Sequence, residues 1–138
     1  MAATKLIGLV ALLLLATAST EAQRRSLHYQ PEKVALTGRL VYRTFYGPPG
    51  YGENPKTDKR ETQSILILES AIDVIGNGND PWEQTEHGIK RITLVVDRSS
   101  PFVGKRVVVE GTLFHAHTGH HHTKVLMEVS SIRNASRG

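Results

Sequence analysis

The chain contains no cysteine. That excludes disulfide staples, a thiol nucleophile, and the lipid-modified cysteine that anchors a bacterial lipoprotein at its cleavage site. The sequence also has no G-x-S-x-G and no H-E-x-x-H, so neither the nucleophile elbow nor the zinc-protease helix is present. No apolar run approaches the roughly 20 residues that a membrane-spanning helix needs. The longest, residues 6–16 (LIGLVALLLLA), has 11.

What surrounds that run is informative. Lys5 gives it a positive start, and small residues follow it through Ala22. This is the order of a secretory signal: charged start, apolar middle, small-residue cleavage site. Residues 1–22 are therefore expected to be a signal peptide cleaved after Ala22, with the A-x-A at Ala16–Ala18 as second choice. Cleavage removes one base (Lys5) and one acid (Glu21), so the net charge of +4 is unchanged. A mildly basic exported protein suits an anionic envelope partner, although solubility alone also accounts for this charge.

After a polar lead-in at 23–32, the pattern becomes period two. Val34, Leu36, Leu40 and Tyr42 share one face of a strand, with Gly38 at a bend. Residues 62–69 (TQSILILE) read as a strand apolar on both faces, and 71–75 as a second short strand. Residues 89–96, 106–114 and 124–132 read as three more. In 106–114, Val107, Val109 and Leu113 face inward. Ser99-Ser100-Pro101 starts one helical turn, which Gly104 ends. Short strands with internal glycines and one helical turn give an all-β fold, a small five-stranded OB-like barrel at 33–133 with a polar tail at 134–138.

Residues 111–123 (GTLFHAHTGHHHT), with LTGRL at 36–40 and FYGPP at 45–49, resemble a bacterial family of small exported proteins, a domain of unknown function. The likeness is strongest over 104–129. It implies a location in the bacterial envelope, periplasmic or extracellular, and supplies no activity. Lys124 stands where the family leads one to expect proline, which implies a looser start to the last strand.

Five histidines fall within residues 115–122. His115 and His117 are two apart and project from one face of an extended chain, the inward one, near a mouth of the barrel. A turn at Thr118-Gly119 returns His120, His121 and His122. Imidazole is a common ligand for zinc and copper, so His115, His117, His120 and His122 are the candidate metal ligands. His121 is expected to face away. A purely structural role, pinning a tight loop, is the competing reading.

The loop at 47–59 is a poor phosphate cradle, because Pro48 and Pro49 lack N–H donors and no Lys-Ser/Thr pair follows. It is better read as displaying Tyr46 and Tyr51. In OB barrels the loops after the first and fourth strands flank the ligand face, so these tyrosines and Arg43 are the candidate ligand-binding residues. The signal peptide argues against nucleic acid as the partner and favours a small or anionic envelope ligand. Glu86-His87 and Asp73 read as solvated loop groups, and Asn134-Ala135-Ser136 as a sequon left unmodified in a bacterial protein. The expected function is an exported, non-enzymatic binding module. The alternative, a metal-dependent envelope enzyme using the same histidines, requires an acid such as Glu86 or Asp80 beside them.

Overall fold

In a computed structural model, residues 23–137 are described. The expected signal peptide, 1–22, lies outside them. The described chain forms six strands: β1 (Arg25–His28), β2 (Lys33–Tyr46), β3 (Arg60–Ile75), β4 (Glu86–Val95), β5 (Arg106–His115) and β6 (Val125–Asn134). A single 3-10 turn, Ser100–Phe102, follows β4, with Pro101 in its first positions.

All six strands belong to one sheet. β2 runs antiparallel to both β3 and β5, β3 is antiparallel to β4, and β5 is antiparallel to β6. A parallel pairing of β4 with β6 completes a closed ring of hydrogen bonds through five strands. The architecture is thus the all-β, five-stranded arrangement that the alternating pattern implied. A side chain on Gly38 could not be accommodated: its Cβ would lie 2.2 Å from the Ile67 carbonyl oxygen across the β2–β3 pair. That close approach lets the long β2 bend from one neighbour to the other.

The structure differs from the sequence pattern in two places. The stretch 23–32, read as a polar lead-in, contains β1, which pairs in parallel with the end of β3. Its apolar signal is only Leu27 and Tyr29, both buried against the ring, and two residues are too few to show a period. The two short strands expected at 62–69 and 71–75 are one strand. The β3–β4 register shifts between Ile67 and Ile72, and this irregularity is what interrupts the alternation in the sequence.

The inner core follows the even–odd pattern closely. Val107, Val109, Leu113, Val125 and Met127, all expected inside, are completely buried together with Leu40, Leu66 and Ile92. The ring also buries residues on its outer side. Ile65 and Leu126 are fully buried yet are not part of the inner cluster. Cross-strand pairing places them in one row: Val41, Ile65, Thr93, Leu126 and Phe114. Something must cover that row, and the histidine loop does.

Candidate functional site

The site is built where the β5–β6 loop, 116–124, folds back over the outer row. Thr123 anchors it: its hydroxyl accepts from the Thr93 N–H at 3.1 Å, pairs with the Thr93 hydroxyl at 2.9 Å, and reaches the Val125 carbonyl at 2.8 Å. Gln63 Nε2 donates to the His120 carbonyl at 2.7 Å. Glu61 supplies the third anchor. Its carboxylate accepts from His122 Nε2 at 2.8 Å and, through its other oxygen, from His120 Nδ1. The His122 ring stacks on Phe45, with centroids 4.4 Å apart and planes 3° from parallel. Phe45 and Glu61 are cross-strand partners in the β2–β3 pair, so one rung of that ladder carries both contacts. The hydrogen bond from His122, then that from His120, holds the Glu61 carboxyl below the usual carboxylate range, outweighing partial burial, which acts the other way.

The four candidate metal ligands do not form one group: His120 and His122 share Glu61, and His115 and His117 lie elsewhere. His115 does face inward as its spacing implied, at a mouth of the ring and edge-on to Tyr29. Its Nε2 lies 2.9 Å from a Glu86 carboxylate oxygen and its Nδ1 2.9 Å from the Ala116 carbonyl. Both ring nitrogens therefore face acceptors, and neither is aimed at a point shared with the other histidines. Tyr29 donates to the Gln84 carbonyl at 2.6 Å. Burial pushes its phenol well above the usual range, and the charges of Glu86 and Glu83 add to the effect.

His117 leaves this face. Its ring packs against Phe114 and against His121, with imidazole centroids 4.6 Å apart. His121, expected to point away from its neighbours, instead accepts from the His117 N–H at 3.0 Å. The reason is the turn. His121 N–H bonds to the Thr118 carbonyl at 3.1 Å, so the loop is not extended and alternation does not apply there. Burial, then the nearby His117, His120 and His122, hold the His121 imidazole below its ordinary value. Among the described residues no group of three or more His, Cys, Asp or Glu side chains is arranged to hold a metal ion.

The β2–β3 loop meets the histidine loop through Tyr51. Gly119 lies against the phenol so closely that a Cβ there would be 2.7 Å from Tyr51 Cζ, so a side chain at 119 would push the phenol aside. Tyr51 Oη is 3.5 Å from His120 Nε2. Tyr46, the other expected tyrosine, is on the opposite face of the β2–β3 ribbon, because its neighbour Phe45 takes the histidine side. There the Arg60 guanidinium stacks 4.1 Å over its ring. Arg43 is exposed and bonds to the Tyr42 carbonyl at 3.0 Å, with Gln63 as its cross-strand partner.

The loop itself is ordered from within. The N–H groups of Gly50, Gly52 and Asn54 donate to the Asp58 carboxylate at 2.8, 2.8 and 3.1 Å. It is thus a cradle for an anion after all, and its own Asp58 fills it. Burial raises the Asp58 carboxyl, but the three N–H donors outweigh that and leave it below its ordinary value.

Phe45, Asp58, Glu61 and Gln63 are the site residues that sequence reasoning missed. For Asp58 a signal existed, a carboxylate closing a glycine-rich turn. For the others none did, since their partners lie 57 to 77 positions away.

Residues 92–133 match the family described as Domain of unknown function (DUF4431). The matched stretch carries the histidine loop and the β4, β5 and β6 rungs beneath it. Phe45, Tyr51 and Glu61, the other half of the site, lie outside it. No curated protein and no solved structure matches the chain.

Proposed function

We propose that the chain is an exported binding module of the bacterial envelope that holds an anionic ligand where the β2–β3 and β5–β6 loops meet. The observation that carries this reading is the interlock of Tyr51 with Gly119 and His120, which makes the two loops one continuous surface. These are the two loops that flank the ligand face in OB architectures. Charge favours an anion. Two of the nearby acids are already satisfied, Asp58 by backbone N–H groups and Glu61 by two imidazoles. Arg43 at the end of β2 and Lys56 and Lys59 in the β2–β3 loop are exposed, as is Tyr51 in the same loop. Export rests on the charged start, apolar run and small residues of 1–22 and on the resemblance of the 111–123 signature.

A metal-dependent enzyme at the same histidines meets one of its requirements, since Glu61 and Glu86 are within hydrogen-bonding reach. The contacts, however, direct N–H donors at those carboxylates instead of lone pairs at a common point, and zinc or copper needs the latter. Binding is the better supported reading.

Titration of the secreted form with inorganic polyphosphate, followed by amide NMR, tests the proposal. Shifts should cluster at 43–60 and 116–122, and affinity should fall steeply as salt rises. The double substitution Arg43→Ala, Lys59→Ala should weaken binding about tenfold or more. Shifts scattered over the surface, or affinity unchanged in the double variant, would overturn this reading. Preferential binding of a thymidine oligonucleotide would move the partner to nucleic acid and contradict it as well.

A further inference from the structure

Glu61, His120 and Tyr51 are linked by consecutive contacts. Glu61 accepts from Nδ1–H of His120, and this fixes the tautomer: with the proton on Nδ1, the ring's lone pair is on Nε2. That nitrogen faces the Tyr51 hydroxyl at 3.5 Å. A carboxylate that orients an imidazole, which in turn faces a hydroxyl, is the arrangement by which proteins activate a weak oxygen nucleophile.

Three further observations single out this trio. Tyr51 has a backbone φ of 50°, a left-handed conformation that bulky side chains rarely adopt and that concentrates at functional positions. Gly119 packs directly against the phenol, a notional Cβ there lying only 3.1 Å from Oη. The orienting carboxylate is itself fixed, because His122, stacked on Phe45, holds its second oxygen. Both reacting rings are open to solvent, with the His120 side chain 58% exposed and Tyr51 42% exposed. A structural latch would be expected to bury its phenol.

We propose that Tyr51 is a nucleophile activated by His120 and that this face transfers acyl groups from activated esters. Tyr51 Oη attacks the acyl carbon as its proton passes to His120 Nε2. The ester C–O bond breaks, and the leaving alcohol takes that proton from the imidazolium, leaving an acyl-tyrosine. Water then gives a proton to the same Nε2 and attacks the acyl carbon. The acyl–tyrosine bond breaks, the acid is released, and the proton returns to Oη. Ester and water are the only reactants. Tyr51 and His120 are the catalytic residues, and Glu61 is a positioning residue. The open surroundings suit a short acyl group on a good leaving group. This activity goes beyond the binding reading and does not depend on it.

The test uses p-nitrophenyl acetate with the purified full chain. A burst of one p-nitrophenolate per chain should appear, with a single acetyl group on Tyr51 by peptide mass spectrometry. Tyr51→Phe keeps the ring and its seat against Gly119, so its melting curve should be unchanged while the burst disappears. His120→Ala should slow acylation about a hundredfold, the usual worth of a general base, and imidazole in solution should restore part of it. Glu61→Gln retains an acceptor for His120 and should lower the acylation rate about tenfold with KM unchanged. Acetylation confined to lysines, a burst that persists in Tyr51→Phe, or no rescue by imidazole would overturn the proposal.

Discussion

Leu113 and Leu126 are both buried to within 1% of completely, on opposite faces of the same β5–β6 pair, and different things bury them. Leu113 lies inside the ring against side chains from the surrounding strands. Leu126 lies outside, in the row covered by the histidine loop. The first is closed by the fold itself. The second is closed by a short segment whose attachments are polar: Thr123 to Thr93, Gln63 to a carbonyl, and two imidazoles to Glu61. Hydrophobic burial of the inner kind is indifferent to pH, whereas the outer kind rests on groups that titrate. The loop that seals the outer row is also the one that presents the proposed ligand face, so that face stands on the outer, conditional half of the molecule.

Substitutions should separate the two halves. Leu113→Ala should cost about 2–5 kcal/mol in denaturant unfolding, the range for a buried leucine that leaves a cavity. A cost under about 1 kcal/mol would mean that the inner face has been assigned backwards. Leu126→Ala should cost less, about 2 kcal/mol, at the low end of that range, because the loop above it can settle into the space. Hydrogen exchange in 116–124 should rise in this variant and not in Leu113→Ala. Equal costs with equal exchange would erase the distinction.

Acid should act on the histidine loop in two stages. The His121 imidazole is held below its ordinary value in the folded chain, so the unfolded chain takes up the proton first. Stability must then fall as pH drops through about 6.5. The Glu61 carboxyl is also held below its ordinary range. Its contribution is full above the unfolded carboxylate value of about 4.3 and is lost as pH falls through the lower, folded value. Melting curves should show both steps, His121→Ala removing the upper one and Glu61→Gln reducing the lower, to which the Asp58, Glu69 and Asp73 carboxyls, likewise held below their ordinary values, also contribute. Methyl signals of Ile65 and Leu126 should move at the upper step while those of Leu113 stay fixed. Movement of all three together would show that the two faces are not separable.

The smallest effect concerns metal. Spacing alone makes His117 the key ligand. The structure instead commits its Nδ1 to the His115 carbonyl at 3.1 Å and pairs its ring with His121. Zinc titration should therefore give weak binding of more than one equivalent, with similar small losses in His117→Ala and His121→Ala. One tight equivalent abolished only by His117→Ala would restore the spacing argument.

The inner half was legible in the sequence because alternation at Val107, Val109 and Leu113, or at Ile92 and Leu94, is a local signal. The outer half was not. Ile65 and Leu126 sit within runs apolar on both faces, which show that a strand is covered but not by what. The histidines announced a site, but their partners Glu61 and Glu86 lie in other strands, and no spacing rule connects them. His121 was misread because a turn at 118–121 breaks the alternation on which the reading depended.

The central claim is that the histidine loop lies on the outer face, clamped to Glu61 and Phe45. Nuclear Overhauser contacts in the folded protein near neutral pH test it most directly. The account expects cross-peaks between the rings of His122 and Phe45, between Gly119 and the Tyr51 ring, and between loop 116–124 and the methyls of Ile65 and Leu126. A loop with sharp, averaged resonances and no contact to Phe45 or Ile65 would contradict it.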